Sequence, residues 1–189
     1  FKKLMCTKVQ ARFFMVTYPV LTLPKKSISF DAYSDWSLIG EATWFDDSVL
    51  SCDHSGLDRE SSQAHITVPL NQKKQGQVVI SVESMSENAQ TNNAYEYSIL
   101  AKVKFADGTT NRLTWAPFND GSLFYTDYSA FTQGSHFWEK RYLPLYYTKL
   151  IKEIEVDLIF FNANGKAFFR NLTVTDFSTI KTPVFDTFP

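Results

Sequence analysis

Tyr97, Ile99, Ala101, Val103 and Phe105 occupy every second position of one run. Period two belongs to a strand with one buried face; a helix would repeat near 3.6. The run ends at Asp107-Gly108, a dipeptide suited to a tight hairpin turn, and Arg112 to Trp115 is the expected return strand. Similar segments recur along the chain. Gln63 to Val68 alternates and stops at Pro69, and Gln77 to Val82 is rich in β-branched residues. Ile154 to Phe161 is a long apolar strand that breaks at Asn162-Ala163-Asn164-Gly165, with Lys166 to Val174 as its expected hairpin partner. Turn residues return every 8 to 15 positions or so, the spacing of all-β chains. Helical periodicity is scarce: Glu139 to Lys152 contains Pro144 and Tyr146-Tyr147, which oppose a long helix. Asp46 to Ser62, Ser84 to Asn93 and Asn119 to Gly134 read as loops. The expected fold class is all-β, an antiparallel β-sandwich. Residues 28–177 would form it, 1–27 an N-terminal extension or edge strand (boundary at Pro24-Lys25-Lys26), and 178–189 a C-terminal tail.

Aromatic residues make up 16% of the 189 positions, with 17 Phe, 9 Tyr and 4 Trp. Such rings fit a half-buried pleated surface, and exposed ones serve recognition. Nineteen basic and twenty acidic residues leave a formal charge of −1 with no tract of one sign. The electrostatic footprint of a nucleic-acid binder is therefore missing. No apolar run approaches the roughly 20 residues of a membrane-spanning helix, so no transmembrane segment is expected. Cys6 and Cys52 could form one disulfide or remain two buried thiols. Asn171-Leu172-Thr173 is an acceptor sequon for N-glycosylation, and the chain starts at Phe1 instead of Met. Both features favour a secreted or extracellular glycoprotein.

Catalytic motifs are scarce. His54, His65 and His136 are dispersed and match no zinc spacing, and no glycine sits in a phosphate-binding loop. No GxSxG nucleophile elbow occurs. The chain reads as a non-enzyme.

Several segments, in order, resemble those of one family. Ser29-Phe30-Asp31 precedes Asp35-Trp36-Ser37-Leu38-Ile39-Gly40-Glu41-Ala42-Thr43; His54-Ser55-Gly56 precedes Ser61-Ser62; and Thr67 to Gln72 enters the next strand. Phe105 to Thr109, Ala116-Pro117-Phe118, Gly134 to Arg141 and Gly165 to Val174 follow. Over about residues 28–177 this order is similar to the galactose-binding-like jelly rolls found among carbohydrate-binding modules. The resemblance implies a jelly roll of two antiparallel sheets with four or five strands each. It also implies non-catalytic recognition of a glycan through exposed rings. The alternative is a structural or protein-interaction subunit that uses the same sandwich to dock into an assembly, so the expected partners are a glycan or other protein chains. The family's closing strand often carries an acidic residue that helps hold a structural calcium ion, where this chain has Arg170-Asn171. Asp31 and the backbone of the His54–Gly56 loop are the remaining candidate calcium ligands. A long insertion between Phe118 and Gly134 also departs from the family pattern.

A sugar ring stacks its C–H face on an aromatic side chain while nearby polar groups bond its hydroxyls. Trp44 precedes Asp46-Asp47, Trp115 neighbours Arg112 and Asn119, and Tyr125 and Tyr128 decorate the insertion. These six residues (Trp44, Arg112, Trp115, Asn119, Tyr125 and Tyr128) are the expected ligand contacts. Trp36 and Trp138 are expected in the core, and Glu139-Lys140-Arg141 on a solvated face.

Overall fold

The computed structural model describes residues 25–27, 35–111 and 127–179, the first three by their backbone alone. Their strands are β1 (Lys25–Ser27), β2 (Ser37–Ile39), β3 (Ala42–Asp46), β4 (Val49–His54), β5 (Glu60–Pro69), β6 (Val78–Gln90), β7 (Tyr97–Phe105), β8 (Tyr128–Ala130), β9 (Gly134–Leu145) and β10 (Ile151–Asp176). Single 3₁₀ turns occupy Ala94–Glu96 and Phe177–Thr179. Every pairing is antiparallel, as the alternation implies.

Two sheets share β10. Its first half lies between β5 and β7, giving sheet B in the order β2-β5-β10-β7-β8. Its second half lies between β4 and β6, giving sheet A in the order β3-β4-β10-β6-β9. β1 continues sheet A on the β4 side, opposite Thr173 to Thr175. The protein is thus an antiparallel β-sandwich of the jelly-roll class.

The crossing corrects one expectation. Ile154 to Phe161 and Lys166 to Val174 are not hairpin partners; they pair with different strands in different sheets. Asn162 (φ +42°) and Gly165 (φ +87°) adopt left-handed backbone, and the register with β5 slips between Phe160 and Ala163. Left-handed Asn and Gly mark a hairpin turn or a switch between sheets equally well. At Gly165 the side chain must be absent. A Cβ there would meet Asn88 O at 2.4 Å and Glu87 O at 2.5 Å.

Period-two burial builds the core. Sheet A contributes Leu50, Ile80, Val82, Phe169 and Val174, and sheet B contributes Ile99, Val103, Ile154, Leu158 and Phe160. Buried polar groups are tied. Tyr97 of β7 reaches across the interior and donates its hydroxyl to Ser84 Oγ of β6 at 2.5 Å, while Ser84 donates to Phe168 O at 2.7 Å. His54, fully buried, donates from Nδ1 to Ala163 O and accepts at Nε2 from Ser62 Oγ at 2.7 Å. Burial pushes its pKa down, consistent with a neutral ring. Two expected loops are largely strand: Asp46 to Ser62 contains β4, and Ser84 to Asn93 is mostly the end of β6. The Asp107-Gly108 turn forms, with Phe105 N–H donating to Thr109 O at 2.8 Å. No helix among the described residues is long and apolar enough to cross a membrane.

Candidate functional site

The two outward faces differ in chemistry. On sheet B the residues pointing away from the core are largely charged and paired. Lys102 Nζ contacts Glu155 at 2.7 Å and Lys104 Nζ contacts Glu153 at 2.9 Å. Buried Asp157 accepts from His65 Nδ1 at 2.6 Å and Gln63 Nε2 at 2.8 Å. Thr67 Oγ1 stands 3.5 Å from His65 Nε2, so a hydroxyl, an imidazole and a carboxylate line up. They lie across the β5–β10 ladder, whose backbone groups bond one another. Donors converging on an oxyanion, which acyl transfer requires, are therefore not supplied by those strands.

Sheet A turns rings outward. Strand alternation directs Ala167, Phe169, Leu172 and Val174 inward, so Phe168, Arg170 and Thr173 face out. On β9, Leu143 and Leu145 face in, opposite Ile80 and Val78. Trp138, Lys140, Tyr142 and Pro144 therefore share the outer face. Phe45, at 70% exposed, packs its edge on Phe168 with centroids 5.7 Å apart. Tyr142 is 58% exposed, with Lys140 Nζ 5.8 Å from its ring centre. The Arg170 guanidinium lies 3.9 Å from the centre of the Trp138 ring, a cation–π contact that fixes the indole. From β3 to β9 there are four inter-strand steps, about 19 Å, enough for several sugar rings side by side.

Polar groups separate the rings, and their charges cancel in pairs. Glu83 Oε2 accepts from Arg170 Nε at 2.9 Å and from Asn171 Nδ2 at 3.1 Å. Burial pushes the Glu83 carboxyl upward, but these hydrogen bonds and the nearby Arg170 charge outweigh it and hold the group below its ordinary value. Lys166 pairs with Asp53 at 2.9 Å, and Ser81 Oγ with Thr173 Oγ1 at 2.7 Å. At the end of the face near Met85 the β6–β9 register shifts. There Phe137, 90% exposed, lines a depression of about 260 Å³ with Met85, Ser86, Glu87, Ser135 and His136.

The expected site residues are not gathered on this face. Trp44, expected as a contact, points inward opposite Leu50, against the core and edge-on to Trp36 at 6.5 Å. Tyr128 is partly exposed but belongs to β8 of sheet B, away from the ring row. Arg112, Trp115, Asn119, Tyr125, Asp31 and Cys6 lie outside the described residues. Cys52 is a fully buried thiol, pushed up to about 12 by burial. Trp138 is not a core residue; it forms the middle of the outer row. Glu139 and Arg141 are not simply solvated: they turn inward, where Glu139 accepts from Thr132 N–H at 2.6 Å and pairs with Arg141 at 2.9 Å. The signal that could have found Trp138 and Tyr142 was their shared parity with Lys140 and Pro144, opposite to Leu143 and Leu145.

Asp31, the side chain expected to help hold a calcium ion, lies outside the described residues. The closing strand offers Arg170, a cation engaged with Glu83 and Trp138, where oxygen ligands would be needed. Among the described residues no three His, Cys, Asp or Glu side chains converge.

No protein-family model and no curated protein sequence matches this chain. Solved structures similar to it include the enzymatically active domain of tailspike protein 4 of bacteriophage CBA120, at 13% identity and a TM-score of 0.48, covering 78% of this chain. This chain spans 20% of that one. Another is the tandem CBM22-1–CBM22-2 domain of Xyn10C from Paenibacillus barcinonensis, at 10% identity and 0.47, covering 87% of this chain and 47% of that one. A third is the C-terminal family 22 carbohydrate-binding module of Xyn10B from Clostridium thermocellum, at 11% identity and 0.44, covering 82% and 99%.

Proposed function

We propose that the outer face of sheet A binds a neutral glycan chain, without catalysis, through the exposed rings of Phe45 and Tyr142 and the half-buried Trp138 between them. One observation carries the reading: Phe45, Trp138 and Tyr142 share one sheet face, with Phe168 buried against Phe45, and are interleaved with the ion pairs Arg170–Glu83 and Lys166–Asp53. Rings supply stacking surfaces for C–H faces, and Asn171, Thr173 and Lys140 supply partners for hydroxyls. Internal pairing of Arg170 with Glu83 and of Lys166 with Asp53 leaves little net field for an anionic ligand. Binding is weak, because a few ring contacts must offset the cost of ordering a flexible chain. The face would act in a secreted or extracellular setting.

The test is a glycan array probed with the purified chain, with and without calcium, beside a Trp138→Ala/Tyr142→Ala variant and a Tyr128→Ala control. A calcium-independent hit that disappears in the double variant and survives in the control is the expected result. A blank array from folded protein free of N-linked glycan, or a hit insensitive to the double variant, would refute the reading. The 90% exposure of Phe137 and 71% exposure of Tyr146 favour a second reading. Large bare rings towards the two ends of β9, the edge strand of sheet A, also suit a protein partner. A blank array together with a stable complex in pull-downs from the native source would move the assignment there.

A further inference from the structure

Asn171 heads the sequon Asn171-Leu172-Thr173, and the fold places it unusually for a residue inside a long strand. The register between β10 and β6 slips between Arg170 and Thr173, and Asn171 takes φ +56° within that bulge. Leu172 is buried, whereas the Asn171 side chain is exposed. Its Nδ2 does not point into free solvent away from the ring row. It shares a single acceptor, Glu83 Oε2, with Arg170 Nε, at 3.1 and 2.9 Å. Two nitrogens at hydrogen-bond distance from one oxygen lie within about 6 Å of each other. The same Arg170 covers Trp138 at 3.9 Å. The glycan acceptor atom therefore stands beside the middle of the ring row.

We infer that Asn171 is an N-glycosylation site whose attached glycan lies over the Trp138–Arg170 platform and occupies the ring face in place of an external ligand; the last clause rests on the function proposed above. Modification needs a lipid-linked oligosaccharyl pyrophosphate as donor. The Nδ2–C1 bond forms, the C1–O bond to pyrophosphate breaks, the lipid pyrophosphate leaves with the electron pair, and the amide gives up one proton. The remaining Nδ2–H can keep its bond to Glu83. The first sugar is then held at the platform by a covalent link, an intramolecular arrangement in which even weak stacking is favoured by high effective concentration.

The experiment secretes the full chain from a glycosylating eukaryotic host, as wild type and as Asn171→Gln. Intact masses are compared before and after peptide-N-glycosidase treatment. Peptide-N-glycosidase converts the linked Asn171 to an aspartate beside Glu83, so hydroxyl-radical footprinting of Trp138 and Tyr142, with Tyr128 as reference, compares the glycosylated wild type with Asn171→Gln. The expected result is a glycan mass that is lost in Asn171→Gln, with labelling of Trp138 several-fold slower in the glycoform and Tyr128 unchanged. Absence of the glycan in folded, secreted protein would overturn the inference. So would a glycan that leaves Trp138 labelling unaltered. Glycan-array binding by protein made in a host without N-glycosylation is scored separately: its failure alone counts against the function proposed above, while occupancy of the face is still decided by the Trp138 footprint.

Discussion

Gly165→Ala places the sharpest demand on the way β10 joins the two sheets. Gly165 has φ +87°, and a Cβ placed there meets two backbone carbonyl oxygens at 2.4 and 2.5 Å. Neither oxygen belongs to a flexible side chain that could swing aside. The left-handed backbone costs a non-glycine residue about 1–2 kcal/mol, and forced overpacking against fixed atoms adds roughly 1–3 kcal/mol. Gly108 supplies an internal reference. It has φ +83°, and a Cβ added there would find nothing within 4 Å, so Gly108→Ala carries the conformational cost alone. For a chain of this size each kcal/mol lowers Tm by about 2–4 °C. Gly108→Ala should fall by a few degrees and Gly165→Ala by roughly 5–15 °C, read by thermal unfolding in circular dichroism with urea titration as a check. Equal losses in the two variants would refute the claim that β10 passes against the Glu87–Asn88 backbone where it enters sheet A.

Three further outcomes are expected. Glu83 titrates below its ordinary value in the folded protein, so its contribution to stability is full above the ordinary glutamate pKa of about 4.3 and is lost as pH falls through the depressed value. Stability measured by urea titration from about pH 6 to about pH 3 should decline less steeply in Glu83→Gln than in wild type; parallel curves would contradict this. Tyr97→Phe removes a buried hydroxyl but leaves Ser84 bonded to Phe168 O, so denaturant titration should show a loss of about 1 kcal/mol, and no loss would mean the cross-sheet bond is absent. Lys102→Ala should cost under about 1 kcal/mol, as partly exposed ion pairs do, and the cost should shrink in high salt; a larger, salt-independent loss would show that the side chain supports the fold by packing.

The strands with apolar residues facing in were legible because burial of one face imposes alternation directly, as along Tyr97 to Phe105. β9 was harder to read, for a physical reason. Its inward positions near the sandwich edge hold Glu139 and Arg141, paired with each other and with Thr132, while Trp138 and Tyr142 face out. A bulge between His136 and Glu139 then breaks the parity. An apolar-out, charged-in strand with a register slip looks like irregular sequence until its partner strand is known. β4 was hidden likewise, since buried His54 and exposed Asp53 sit side by side in what resembled a polar loop. Rings near turns looked available, yet Trp44 turns inward because its pairing opposite Leu50 fixes its face.

The most direct test of the ring face follows the tryptophan indole N–H signals in an NMR titration with the oligosaccharide that scores highest on the array. Trp138 stands in the outer row, whereas Trp36 and Trp44 pack against the core. The Trp138 indole signal, assigned by loss in Trp138→Phe, should move progressively to saturation while those of Trp36 and Trp44 stay in place. A saturating titration in which Trp138 does not move would contradict it.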